Sequence, residues 1–281
     1  MKIGIYEIYA VECERFALDG GAMFGTVPKV LWEKTNPADE KNRIEMSARA
    51  MLIRNLADGK NILVDTGMGQ KWEQKPREMF KISDSYLEAN LAKAGVKPDD
   101  ITDVILTHLH FDHAGGATKL VDGKLVPTFP NATYYVQEAN YTWAMSPNAR
   151  EKASYLKENF TPLMEHGVLK FVNGEQELFP NVHLILSNAH THAQQLVRVT
   201  DGKKSVCYCG DLIPTATHIP LPWVMGYDLY PLEIMAEKKR LLEQAADEHW
   251  TLFFEHDPYK DAADVASSDK GIVKNNVFFV N

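Results

Sequence analysis

The chain has 281 residues, 45% hydrophobic and 24% charged, ordinary values for a soluble globular protein able to bury a large core. Its formal net charge of -8 argues against nucleic acid or an anionic membrane as partner, since both demand a basic surface, and favours a neutral or cationic small molecule. Three cysteines (Cys13, Cys207, Cys209) make no disulfide framework, and the lack of a signal-like N-terminus or of any run of about 18 apolar residues predicts a cytoplasmic, soluble chain.

Residues 2–12, rich in Ile, Tyr and Val, read as an opening strand. A glycine-rich loop follows at Leu18–Gly25; it lacks the lysine-serine ending of a phosphate loop, and either walls a pocket or packs. Residues 48–56 and 60–65 predict a hairpin around Asp58-Gly59. The second of these strands ends in Asp65, a carboxylate too costly to bury unpaired. Residues 83–94 have a helical pattern, with Ser83 or Asp84 as cap and Gly95 as stop.

The apolar run Val104-Ile105-Leu106 then reads as a short buried strand that delivers His108, Leu109, His110, Phe111, Asp112 and His113. Imidazole nitrogens suit Zn²⁺ and its first-row neighbours, and a carboxylate among them offers a ligand for a second ion. Alternation along an extended segment puts His108 and His110 on one face, while a helical turn starting near Asp112 aims Asp112 and His113 at a neighbouring point. Gly115 and Gly116 permit the close backbone approach that so crowded a turn needs.

Farther on, residues 132–137 predict a strand and 149–166 a helix broken by Pro162. Residues 182–187 form a strand ending near His190 and His192, and 195–199 pairs with 204–209, which leads to Asp211. Cys207 and Cys209 share one face of that strand and read as small buried hydrophobes. A long helix runs from Pro231 to about residue 248, and Leu252-Phe253-Phe254 is a strand ending at Glu255-His256. Repeatedly, an apolar strand ends with an Asp or His at its tip, where a rigid scaffold can expose ligands along one sheet edge. Asp65 is then read as orienting metal ligands.

These ordered motifs, Asp65, His108-x-His110-x-Asp112-His113, His190, Asp211 and His256, resemble the metallo-β-lactamase superfamily. The resemblance implies an α/β chain folded as one domain over residues 1–281, a four-layer αββα sandwich with a dinuclear site at one edge. Carried over, His108, His110 and His190 hold one divalent ion and Asp112, His113 and His256 the other, with Asp211 bridging them; zinc is expected, with iron, manganese or cobalt as alternatives. The third motif departs from the usual Gly-His-Thr-x-Gly-His, reading Ala189-His190-Thr191-His192-Ala193-Gln194, so His192 competes with His190.

The implied chemistry is hydrolysis by a metal-bridging hydroxide, with Asp112 and Asp211 in the catalytic set and Tyr227 or Tyr230 as phenols for the developing oxyanion. Asp19–Gly25, Gly210–Thr215 and Glu255–Pro258 resemble the group containing N-acyl homoserine lactonases and methyl parathion hydrolases. A quorum-quenching lactonase acting on a neutral ester-like molecule is therefore expected, with Met23-Phe24 and Pro220–Met225 as candidate pocket walls. A phosphotriester hydrolase, a glyoxalase II-type thioesterase, a mononuclear iron dioxygenase and a non-catalytic binding module are the alternatives. A homodimer is open.

Overall fold

The computed structural model describes residues 1–269 and 271–280. Residues 2–172 supply strands β1 (Lys2–Ile3), β2 (Tyr6–Asp19), β3 (Arg43–Asn55), β4 (Asn61–Val64), β5 (Asp103–Ile105), β8 (Thr133–Gln137) and β9 (Leu169–Val172), which lie side by side in that order. Strands β6 (Thr118–Val121) and β7 (Lys124–Pro127) form a separate hairpin. The second sheet is β10 (Gln176–Phe179), β11 (Val182–Ser187), β12 (Gln194–Thr200), β13 (Ser205–Tyr208), β14 (Trp250–Phe253), β15 (Ala262–Ser268) and β16 (Gly271–Phe278). Both sheets are mixed: β4, β5, β8 and β9 run parallel in the first and β13 pairs parallel with β14 in the second, the remaining neighbours being antiparallel.

Side-chain alternation sorts these strands into layers. Met51, Ile53, Ile62, Val64 and Ile105 of the first sheet meet Val182, Leu184, Val197, Val206 and Phe253 of the second in the central core. On the far side of the first sheet, Ala50, Leu52, Leu63 and Val104 pack with helices α4 (Leu87–Lys93), α6 (Glu138–Met145) and α7 (Thr161–Glu165). On the far side of the second, Cys207, Cys209 and Leu252 lie under α8 (Pro231–Asp247), which contributes Ile234, Leu241, Leu242 and Ala245. This is the αββα sandwich expected, and the cysteines sit on one buried face as read from the strand. Among the described residues no helix is long and apolar enough to cross a membrane.

Three local expectations need correction. The glycine-rich loop contains a five-residue helix, α1 (Gly20–Phe24), because the Asp19 carboxylate accepts the Ala22 N–H at 2.8 Å and caps it; a short turn α2 (Lys29–Trp32) follows. The pattern at 83–94 yields only α4, led in by Tyr86, while Ser83 is diverted to accept the Arg15 N–H; α3 (Gln74–Met79) precedes it. Residues 149–156 are turns rather than helix, since Asn148 accepts the N–H groups of Arg150 and Glu151 and the buried Glu151 is drawn away into side-chain bonds. After a single 3-10 turn at Lys157–Asn159, α-helix starts only at Thr161, with Pro162 in its first turn, where a missing N–H costs nothing.

Helix α8 carries a lysine, Lys238, that is fully buried and donates to the carbonyls of Pro220 (3.0 Å) and Trp223 (2.8 Å). Burial pulls its ammonium down to about 7, from an ordinary value of 10.5. Between those two pH values the unfolded chain holds the extra proton, so stability rises with pH across that window, by at most about 1.4 kcal/mol per pH unit. Chemical denaturation of the wild type and of Lys238→Met from pH 7 to 10 should show this slope in the wild type and its loss in the variant; parallel profiles would contradict it.

Candidate metal centre

Strands β4, β5, β11, β13 and β14 all end at one edge of the sandwich, and each tip carries one of the residues singled out above. After β5, the rings of His108 and His110 lie 4.5 Å apart, on one face as the alternation predicted. Helix α5 (Phe111–Ala114) then begins and turns Asp112 and His113 toward the neighbouring point. The turn is possible because a Cβ on Gly115 would stand 2.1 Å from the Met68 carbonyl oxygen, and one on Gly116 2.1 Å from that of Thr66.

Two groups of ligand atoms result. His108, His110, His190 and Asp211 converge with all ligand atoms within 4.8 Å of one another, as do Asp112, His113 and His256. The Asp211 carboxylate stands between the two, 3.1 Å from His190 Nε2 through one oxygen and 3.1 Å from His256 Nε2 through the other. His192 is elsewhere: its ring lies tilted against Trp143 with centroids 5.2 Å apart, so the third-motif histidine that joins the cluster is His190.

The donor chemistry fits divalent ions. His190 directs Nδ1 at Asp228 (2.9 Å), His256 directs Nδ1 at the Ser47 carbonyl (2.8 Å), and His113 directs Nδ1 at Asp65 (3.1 Å) and Glu255 (2.7 Å). With the ring protons on those nitrogens, the remaining nitrogens are bare lone pairs. They nevertheless face one another, His110 Nδ1 to His190 Nε2 at 3.2 Å and His113 Nε2 to His256 Nε2 at 3.3 Å. Two nitrogens held tetrahedrally on one zinc ion at about 2.0–2.1 Å lie about 3.3 Å apart. His108 Nε2 and Asp211 Oδ1 are buried there without a hydrogen-bond partner, as ligands awaiting a cation would be.

Behind the ligands stands a shell of carboxylates and carbonyls that fixes ring orientation. Asp65, fully buried in a left-handed conformation (φ 59°), accepts the Thr107 N–H and hydroxyl, each at 2.7 Å, besides facing His113. Glu151 Oε1 lies 3.5 Å from His110 Nε2. The His256 loop is gripped by buried Arg49, which donates to the carbonyls of Phe254 (2.8 Å) and Asp257 (2.9 Å) and pairs with Asp261. Burial acts against charge throughout. It pushes the Glu255 carboxyl up to about 8 and His108 well below its ordinary value. Burial would raise Asp211 too, but the imidazoles of His113, His190 and His256 hold it well below the usual carboxylate range.

The cluster opens on a cavity of about 710 Å³. At its floor are His110, Asp112, His190, Asp211 and His256; its walls include Met23, Trp72, Met79, Phe80, Phe111, Leu156, Met225 and Tyr227. Trp72, Phe80 and Phe111 pack on one another with centroids 5.3–5.9 Å apart. Of the candidate wall segments, Met23 and Met225 reach the cavity, whereas Phe24 is stacked between Trp32 and His218 and Trp223 packs edge-on against Phe24. Tyr227 lines the cavity; Tyr230 is not among its lining residues and serves as the lead-in to α8.

Glu151, Asp228 and Glu255 were not assigned roles from the sequence. Asp228 and Glu255 carried the same signal as Asp65, an acidic residue beside apolar segments that needs a partner once buried. Glu151 was masked by the helical reading of its segment.

Comparison with known proteins agrees with this geometry. The chain is 31% identical over 210 residues to the N-acyl homoserine lactonase AiiA of Bacillus thuringiensis subsp. kurstaki, covering 70% of this chain and 76% of that one. It is 26% identical over 173 residues to the N-acyl homoserine lactonase AttM of Rhizobium radiobacter, covering 58% and 61%. Among solved structures, a probable metal-dependent hydrolase from Staphylococcus aureus superposes with TM-score 0.90 at 30% identity over 99% of this chain and 98% of that one. The dizinc quorum-quenching lactonase AidC shares the fold with TM-score 0.82 at 22% identity, over 100% and 97%. The profile of the Metallo-beta-lactamase superfamily matches residues 44–256, which run from the start of β3 to the last of the clustered histidines. With most of its length inside that match, this chain belongs to the metallo-β-lactamase superfamily.

Proposed function

We propose that the protein is a dinuclear metal-dependent lactonase that opens the ring of a neutral lactone bearing an apolar substituent, such as an N-acyl homoserine lactone. The observation that carries this reading is the cavity, which joins a floor of five of the seven clustered Asp and His side chains to a wall dominated by aromatic and aliphatic ones. The names of the relatives above select the lactone among ester-like substrates. His108, His110 and His190 would hold one ion, Asp112, His113 and His256 the other, and Asp211 both. Bound there, two divalent ions would supply an acidified water and a Lewis acid for the carbonyl oxygen.

The chain's own residues do the rest. The apolar wall around Trp72, Phe80 and Phe111 takes the substituent and excludes water, leaving the lactone carbonyl over the floor. As the water oxygen adds to the carbonyl carbon and the ring C–O bond breaks, the proton released by the water must reach the departing ring oxygen. Asp112, which lines the cavity floor, is placed to carry it. Tyr227 is a phenol on the same wall, pushed up to about 12 by burial and by the charges of Asp112 and Asp19, so it stays a donor throughout the working range. Tyr227→Phe should lower kcat about tenfold to hundredfold with KM little changed, the signature of a donor to the developing oxyanion; an unaltered kcat would remove Tyr227 from that role.

The test of the whole reading is metal content per chain together with hydrolysis of an acyl homoserine lactone before and after chelation. Two ions and chelator-sensitive ring opening are expected. Two ions without ring opening would overturn the lactone and turn the search to phosphotriesters and thioesters; a single iron would overturn the dinuclear hydrolase in favour of an oxygenase.

A further inference from the structure

The two wall segments nearest the cluster each end on an imidazole of the same ion site. In the first, Glu151 Oε1 lies 3.5 Å from His110 Nε2 and also accepts the Thr191 hydroxyl at 2.5 Å, while Oε2 accepts the Trp143 indole N–H at 2.8 Å. In the second, Asp228 takes His190 Nδ1 at 2.9 Å through one oxygen and the Met225 N–H at 2.8 Å through the other. His110 and His190 are the pair whose nitrogens converge at 3.2 Å. Between the segments runs one side chain. Arg150, adjacent to Glu151, donates through a single guanidinium nitrogen to the carbonyl of Gly226 and to that of Asp228 (3.2 Å). Those carbonyls flank Tyr227, and Arg150 itself lines the cavity. The other histidine pair is held differently, by Asp65, Glu255 and Ser47, which are buried in the sandwich interior.

We propose that Arg150 is a positioning residue that straps the two cavity walls together and thereby holds the ion shared by His110 and His190, leaving the ion of His113 and His256 independent of it. The inference rests on the two-ion reading above. Its physical content is a coupling free energy: whatever orders the walls tightens that ion, and whatever loosens them releases it. Arg suits the task because the two N–H groups of one terminal nitrogen are fixed in the rigid guanidinium plane, one for each carbonyl.

The experiment is chelator competition on the zinc-loaded full chain, counting metal per chain as dipicolinate is raised, for wild type, Arg150→Met, Asp228→Asn, the double variant and Lys152→Met. Arg150 is exposed, so its truncation removes the strap from a folded protein. Expected is loss of one ion per chain from Arg150→Met at about tenfold lower chelator, the scale of outer-sphere partners of metal ligands, with the second ion released as in wild type. KM for the lactone should rise in the same variant. The double variant should fall short of the sum of the singles, since both act through one network, and Lys152→Met, which removes a charge from the same loop, should match wild type. Equal weakening of both ions, no weakening, strict additivity, or the same loss in Lys152→Met would each overturn the strap. A wild type holding fewer than two ions would instead overturn the two-ion reading, and that is seen before any variant is made.

Discussion

Replacing Asp211 by Ala is expected to cost at least one of the two ions and at least about 10³ in ring-opening rate, about 4 kcal/mol of barrier. The size follows from where the carboxylate stands. One oxygen is 3.1 Å from His190 Nε2 and 3.4 Å from His113 Nε2, the other 3.1 Å from His256 Nε2, so the side chain touches both ligand groups at once. Among the described residues no other does this so evenly: Asp112 pairs with His113 (3.9 Å) and His256 (3.7 Å). Asp211 is also an anion among imidazoles and the member of the first group that carries negative charge, so without it that group offers only neutral nitrogen. The isosteric Asp211→Asn separates geometry from charge. It should retain more metal than the alanine variant and still lose most of the rate. Metal analysis beside lactone hydrolysis decides the matter, and two ions with a rate within tenfold of wild type would remove Asp211 from the centre.

What the sequence disclosed, and what it hid, divide along a physical line. The histidine cluster was legible because ligand spacing is local: the step from extended chain at His108 and His110 to helix at Asp112 and His113 happens within one turn, and alternation alone places the rings. Strand tips were legible because apolar runs that end in Asp or His are costly unless a partner waits. The layers followed from the resemblance. Hidden were the contacts made across long sequence separations. Arg49 grips the loop around His256 from more than 200 positions away, and Glu151 reaches Thr191 through a segment whose composition reads as helix but whose backbone is bent by Asn148 and by the burial of a carboxylate. The strands β15 and β16 after Pro258, which complete the second sheet, also went unread, because β15 is built largely of Ala, Ser and Asp, poor strand formers, and β16 is mostly exposed.

His190→Ala and His192→Ala form the sharpest pair of tests, since the departure at 189–194 made both candidates. Simple alternation along an extended chain would put the two rings on one face, and both could then reach the ions. The backbone does not stay extended. The chain bends through 189–191, Ala193 adopts a left-handed conformation (φ 54°) and donates its N–H back to the Asn188 side chain at 2.9 Å, and the turn swings residue 192 away. His190 keeps Asp228 behind it and Asp211 before it, so its loss should release the first ion and lower the rate by about 10³ or more. His192 contributes a carbonyl to Asn140 Nδ2 (2.7 Å), which any residue would supply, and a ring tilted against Trp143. Its replacement by Ala should leave metal content at two and the rate within about twofold, at a stability cost of about 1 kcal/mol for the lost ring contact. If the two variants lost metal alike, the third motif would have to be read through His192, and the bend at Ala193 would not set which histidine faces the ions.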